Sequence, residues 1–359
     1  MNDSLRFTGT ARLPLVGLVA ALAVTFAACG GREDLGSNDS SNLDAGGTSS
    51  TGDGGATSTA DTGTPVPVAT MCLATSRRGT LAIDRFGDAA CGLAGDGTIV
   101  CWGMTGASTT LAGTFTAIDF SDILCGVRTT GAIACAQGIA APAGTDYVRV
   151  VSDEAGGRVC GLSSAGDVRC TASNGVPAQL LAGPYLDVAT NNDAVCTLAT
   201  DGTPTCTGYN GESVLTPSGT LQTLQLVELT ADGSDGAGLS CGLTTAGAPT
   251  CSDFTFSPPV PATFSEISFE ASQDESGEQK SPSYCGIAGC KMFCNRFDNT
   301  PLATPPGGFE HVVVSMALGQ SSPFACASDA NGHVTCFNLD GTAGPAPIGS
   351  PPADVVFQY

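Results

Sequence analysis

Two histidines, His311 and His333, are the only imidazoles available to act as a general base. A nucleophile activated that way also needs a third group to orient the base. His333 directly follows a turn glycine, Gly332, and His311 lies in the alternating run from Phe309 to Val314, so both read as surface or sheet positions. The 34 acidic residues could furnish the carboxylate pair of a glycosidase, but their order along the chain singles out no convergent pair. The only lysines, Lys280 and Lys291, do not belong to a glycine-rich phosphate loop. The 17 cysteines are the stronger chemical signal. With so few histidines and no CxxC pair, metal ligation is a poor match, whereas an exported chain keeps cysteines oxidised. Disulfide formation is the expected chemistry; neither an enzymatic activity nor a cofactor is.

The spacing of the cysteines says which elements must carry them. Cys91 and Cys101 stand ten residues apart, as do Cys125 and Cys135, Cys160 and Cys170, Cys196 and Cys206, Cys241 and Cys251, and Cys326 and Cys336. A seventh copy, Cys285 and Cys294, is one residue shorter. If Cys160 faces Cys170 across an antiparallel pair, Leu162 faces Val168 and Ser164-Ala165-Gly166 is the loop. A three-residue hairpin loop needs its last residue in the left-handed region, and Gly97, Gly131, Gly166, Gly202, Gly247 and Gly332 all fall there. In the short copy Gly289-Cys290 is left as a two-residue loop with glycine first, which suits a type II′ turn. The Asp-Gly pairs Asp96-Gly97 and Asp201-Gly202 thereby belong to turns, not to the spaced Asp-box of sialidase-type propellers. Each local disulfide closes about eleven residues, for which chain entropy gives about 2.5–3 kcal/mol. Cys72 and Cys290 remain once Cys29 is set aside; they are expected to pair, a reactive thiol at the hairpin tip being the alternative.

One further alternating strand precedes each hairpin, beginning with Thr80 to Asp84 and continuing with the runs that open on Phe115, Tyr147, Tyr185, Leu224, Phe264 and Phe309. The leading cysteines are 34 to 45 residues apart, the size of a propeller blade. The fold class expected is therefore all-β: a seven-bladed β-propeller with cross-strand disulfide hairpins over residues 69–359. Six or eight blades and an open solenoid are the alternatives. An orphan run, Asp354 to Phe357, ends the chain and would cover an open edge by pairing with residues such as Met71 to Ala74.

The N-terminus is of a different kind. Arg6 and Arg12 precede an apolar run from Leu13 to Ala28, which is short for a membrane span and has the layout of an export signal. Phe26-Ala27-Ala28-Cys29 resembles a bacterial lipobox, with Phe26 where an aliphatic residue is usual. That resemblance implies a signal peptide over 1–28, lipidation of Cys29 and anchoring to a membrane through the lipid. Residues 29–68, rich in Gly, Ser, Thr and Asp, cannot bury enough apolar surface to fold and read as a linker. Gly30 lacks the acidic character associated with inner-membrane retention, so the outer membrane or cell surface is the expected destination.

The pattern Cys91-Gly92-Leu93, a glycine turn, then Cys101-Trp102-Gly103 resembles the regulator of chromosome condensation repeat family. Cys206-Thr207-Gly208-Tyr209-Asn210-Gly211 and Ser173-Asn174-Gly175 match the trailing part of that motif. The resemblance extends over residues 69–359 and points to the divergent, disulfide-containing bacterial branch. It implies a seven-bladed propeller and no single function. Bacterial members include secreted binding proteins.

A net charge of −21 argues against nucleic acid as a partner, since phosphate binding needs clustered cations. The later repeats carry longer insertions ahead of the leading cysteine: Ala231 to Ala237, Ala271 to Pro282 and Leu318 to Ser322. Equivalent places in adjacent blades share one face, so Asp232, Asp235, Asp274, Glu275 and Glu278 are the candidate binding residues. A basic protein or a calcium ion suits such a cluster. The function expected is that of a monomeric cell-surface platform for a protein or polysaccharide. An envelope assembly factor and a hydrolase of surface sugars are the alternatives.

Overall fold

The computed structural model describes residues 79–358 apart from 85–86, 104–108, 110, 154–156, 174–176, 192–193, 210–215, 228–238, 253–262, 271–282, 297, 299, 316–322, 342–345 and 347. Cys29, Cys72, Met71 to Ala74, the signal and linker segments and all five acidic candidates lie outside the described residues.

Seven antiparallel sheets follow one another along the chain. The first contains β1 (Leu81–Ile83), β2 (Ala89–Leu93) and β3 (Ile99–Gly103), and the second β4 (Phe115–Phe120), β5 (Leu124–Arg128) and β6 (Ile133–Cys135). The third contains β7 (Tyr147–Ser152), β8 (Val159–Ser163), β9 (Val168–Cys170) and β10 (Gln179–Leu181). The fourth has β11 (Tyr185–Thr190), β12 (Ala194–Ala199) and β13 (Pro204–Gly208), and the fifth β14 (Gln225–Val227), β15 (Leu239–Leu243) and β16 (Pro249–Cys251). The sixth has β17 (Glu266–Glu270), β18 (Ser283–Ala288) and β19 (Lys291–Arg296), and the seventh β20 (His311–Ser315), β21 (Phe324–Ser328) and β22 (Val334–Asn338). First strands of consecutive sheets pack side by side in the order β1, β4, β7, β11, β14, β17, β20, and β20 packs back onto β1. The sheets are the blades of a closed seven-bladed β-propeller, which excludes six blades, eight blades and a solenoid. Among the described residues only blade three has a fourth strand.

Every leading cysteine faces its partner in register, and all seven pairs are disulfides with Cα atoms 4.0–4.1 Å apart. That separation belongs to the narrow, non-hydrogen-bonded positions of an antiparallel ladder, where side chains approach most closely. Leu162 faces Val168 as the spacing requires. All six hairpin glycines have φ between 77° and 88°. The short copy differs from its expected type II′ turn: Gly289 (φ 56°) and Cys290 (φ 64°) are both left-handed, as in a type I′ turn. A type I′ turn matches the right-handed twist of β18 and β19, and that match outweighs the strain at a residue with a Cβ. Cys290 is itself disulfide-bonded, to a partner outside the described residues, so it is not a free thiol.

The turns also join the blades. The carbonyls of Gly97, Gly131, Gly166, Gly202, Gly247, Cys290 and Gly332 accept, at 2.7–3.0 Å, the N–H groups of Phe115, Tyr147, Tyr185, Leu221, Phe264, Phe309 and Phe357. Each of those residues opens the next blade. In blade five the position is taken by Leu221, three residues ahead of the Leu224 start that alternation suggests. Several of these large side chains lie over the glycine that follows the leading cysteine. A Cβ on Gly126 would stand 2.6 Å from the Phe115 ring, and one on Gly161 2.6 Å from that of Tyr147. Cys-Gly thus makes a flat seat for the incoming ring.

The chain's last described residues complete the circle. Phe357 bridges Ala94 in blade one, Gly95 donates to the Val356 carbonyl at 3.0 Å, and the Phe357 ring sits over Gly92. The orphan run is therefore the opening residue of blade one, supplied from the far end of the chain, and it seats on the first hairpin. Apolar cores lie between neighbouring blades: Ala82, Cys91 and Leu93 pack with Phe115, Ile118 and Leu124, while Leu81 and Trp102 pack with Phe324, Val334 and Phe357.

Candidate functional site

Strand direction assigns the two faces. In every blade the connection from first to second strand emerges on one face, where the third strand also ends; the disulfide hairpins turn on the other. The three long insertions leave between β14 and β15, β17 and β18, and β20 and β21, all on the first face. We call it the loop face.

The axis is built from the first strands, and its polar groups are engaged between blades. At the junction of blades one and two, Ile118 donates its N–H to the Gly79 carbonyl at 2.6 Å. Asp119 accepts from the N–H (2.8 Å) and hydroxyl (2.7 Å) of Ser152. Burial pushes the Asp119 carboxyl up, against the lowering effect of Ser152 and the Arg149 charge. Arg149 pairs with Asp187, which also accepts from the N–H of Leu224 at 2.9 Å. The Gln225 amide exchanges hydrogen bonds with the backbone of Phe269 at 2.9 and 3.2 Å. Ser268 accepts from the N–H of Val314 at 3.2 Å, and Glu266 meets buried His311 Nδ1 at 2.8 Å. Ser315 donates to the Asp84 carbonyl at 3.2 Å, which closes the circuit. These carboxylates hold blades together. His311 is one of the sheet residues expected, and exposed His333 stands 3.4 Å from Asp329 at the tip of a hairpin.

The hairpin face consists of short tips. Asp96 accepts from the Thr98 hydroxyl and N–H, and Asp201 from the N–H of Thr203, so each carboxyl is held below its usual range. These Asp-Gly pairs are turn formers.

The loop face has more varied chemistry. Asp84, Asp153 and Asn191 occupy equivalent places after the first strands of blades one, three and four, where each side-chain oxygen caps backbone N–H groups across the loop. Asp84 is pushed up to about 6, chiefly by burial, with Asp88 and Asp122 adding repulsion against two lowering backbone hydrogen bonds. Among the described residues no group of three or more His, Cys, Asp or Glu side chains could hold a metal ion.

One loop-face residue has no counterpart in the sequence reading. Arg158, just before β8, is only 1% exposed. Its guanidinium lies 4.1 Å from the ring centroid of Tyr209, which follows β13 in the next blade. Nη2 donates to the Pro177 carbonyl at the long distance of 3.5 Å, while Nε and Nη1 have no acceptor among the described residues. The available signal was compositional: with 13 Lys and Arg in the chain, each cation carries weight.

No protein-family model matches the chain, and no curated protein matches it in sequence. Similar solved structures include the β-propeller domain of Cps50 (Swd1) from Myceliophteria thermophila, 10% identical, with 71% of this chain and 94% of that one covered at a TM-score of 0.46. Hsv2p from Kluyveromyces lactis is 7% identical, with 73% and 93% covered at 0.47. The computationally designed Ika8 protein is 12% identical, with 78% and 91% covered at 0.43. The seven-bladed ring itself rests on the strand pairing and closure described above.

Proposed function

We propose that this chain is an exported, lipid-anchored binding protein whose propeller presents its loop face to a partner at the bacterial cell surface. The observation that carries this reading is a division of labour. The inward-facing polar groups of the first strands join blade to blade, and the hairpin face is reduced to short stapled tips. The long insertions all leave on the remaining face. A rigid ring with variable loops on one side suits recognition, because the scaffold spends no ordering entropy when the loops engage. The lipobox-like residues before Cys29 and the linker that follows support a tether of lipid and flexible chain. The resemblance to disulfide-containing bacterial members of the regulator of chromosome condensation repeat family supports secretion and binding. Acidic Asp232, Asp235, Asp274, Glu275 and Glu278 favour a basic protein surface.

Two linked experiments test the proposal. Metabolic labelling with an alkyne fatty acid should mark the wild-type chain and not Cys29→Ser, which should leave the membrane fraction. Photo-crosslinkers placed at Asp232 or Asp274, in intact cells, should capture a partner that one at Asp96 does not. Equal capture from both faces, or none from either, would remove the loop face as the binding surface.

A further inference from the structure

We infer that Arg158 is the anchor of a carboxylate-binding site on the loop face, at the junction of blades three and four. A guanidinium stays charged at any accessible pH, so burying it requires acceptors for its donors. Among the described residues the carboxylates of Asp119, Asp187 and Glu266 all have named partners. Arg158 is as buried as any of them, yet among the described residues Nε and Nη1 meet no acceptor and the guanidinium's one hydrogen bond, to Pro177, is long. Its carboxylate neighbour in sequence, Asp153, directs Oδ1 to the backbone N–H of Arg158 at 2.9 Å, as the equivalent Asp84 and Asn191 direct theirs to backbone N–H groups of their own loops. Among the described residues this cation has no ion-pair partner, in a chain with 34 acidic residues.

The surroundings select the ligand. The Tyr209 face supports the guanidinium plane from one side at 4.1 Å and leaves its edges to take hydrogen bonds. The Tyr209 hydroxyl is held by the Thr190 hydroxyl, which locks the ring in place. A planar, singly charged carboxylate matches one guanidinium in charge and in geometry. A dianionic phosphate asks for more cations than this acidic face supplies. The carboxylate belongs either to a free small acid or to a group on a larger partner, such as a uronate or an acidic side chain. The site deepens the loop-face reading and rests on it for its biological meaning, though not for its chemistry.

The test uses the full-length protein in detergent, unfolded thermally at pH 7 in sodium acetate, chloride or phosphate of equal ionic strength. Acetate should raise the wild-type midpoint progressively and beyond the general kosmotropic rise that Arg158→Met retains and that phosphate also gives, and chloride should not. The excess over Arg158→Met should be weakened at least about tenfold in apparent affinity in Arg158→Lys. If Arg158→Met does not fold, the wild-type answer comes from the Nε–H resonance of ¹⁵N-arginine-labelled protein, assigned by its loss in Arg158→Lys, which should shift on acetate titration. Tighter binding of glucuronate than of acetate would assign the group to a saccharide. Tighter binding of an N-acetylated, aspartate-containing tripeptide would assign it to a protein. Equal midpoints in acetate and chloride, an equal acetate effect in Arg158→Met, or an unmoved Nε–H resonance would each overturn the site. Acetate binding without crosslinking from Asp232 or Asp274 would keep the site and remove the platform; crosslinking without acetate binding would do the reverse.

Discussion

Replacing Phe357 by alanine should open the ring, and the molecule carries its own reporter for that event. All seven described disulfides lie within blades, so they staple hairpins and do nothing to hold blade seven against blade one. That junction rests on β20 against β1, on Ser315, and on Phe357 seated over Gly92. Phe357 is 2% exposed and its ring centroid lies 5.6 Å from that of Trp102, the only tryptophan in the chain. Losing its burial removes about 1.5–3 kcal/mol of transfer free energy, and the aromatic pair adds about 0.5–1.5 kcal/mol. With the cavity left behind, a total of about 3–5 kcal/mol is expected. For a domain of this size that is a fall in Tm of about 5–8 °C. Trp102 is buried with Leu81, Phe324 and Ile348, and exposing that pocket should shift its native emission to the red. Phe264→Ala is the matched control. Phe264 holds the same position in blade six, 3% exposed with its N–H on Gly247, so a similar loss of stability should leave native Trp102 emission unchanged. Thermal unfolding followed by fluorescence and circular dichroism reads both effects. A Phe357→Ala protein within about 1 kcal/mol of wild type, with unshifted emission, would refute the C-terminal closure, because that burial cannot be lost so cheaply.

The other predictions concern a carboxyl, the staples and a seat. The native Asp84 pKa of about 6 lies above the ordinary 3.8, so its contribution is fully present below pH 3.8 and is lost as pH rises through 6. Asp84→Asn keeps an amide oxygen for the cap, as Asn191 does in blade four, and should be more stable than wild type at pH 7.5 but not at pH 3.5. Urea midpoints at the two values decide it, and a lower midpoint at pH 7.5 would show that the carboxylate is needed. Non-reducing peptide mapping should return Cys160 with Cys170 and its six counterparts, and a link from Cys290 to Cys72; removal of Cys160 and Cys170 together should cost about 2.5–3 kcal/mol. Gly161→Ala would press a methyl against Tyr147 and Ile133 and should cost about 1–3 kcal/mol by the same unfolding assay, whereas a neutral result would mean that the ring has room to move.

The repeat could be read without coordinates because a hairpin is a local object. Two facing cysteines and a glycine at the third loop position specify register, turn and side-chain direction within eleven residues. The same locality explains where that reading stopped. In Gly289-Cys290 the glycine announced a turn, yet its type depended on the twist of the flanking strands. At blade five, alternation pointed to Leu224 and passed over Leu221, because what distinguishes Leu221 is a hydrogen bond to Gly202 in the preceding blade.

The sequence by itself determined the unit: its length, its disulfide, its turn and the number of times it recurs. Tertiary structure decided everything that one unit does to another. It brought Phe357 to a glycine 265 positions earlier in the chain, joined Glu266 to His311 and Asp119 to Ser152, and buried Arg158 beneath a tyrosine of the next blade. Such contacts leave no period or spacing in a sequence, because closing the circle fixes them through space and not along the backbone.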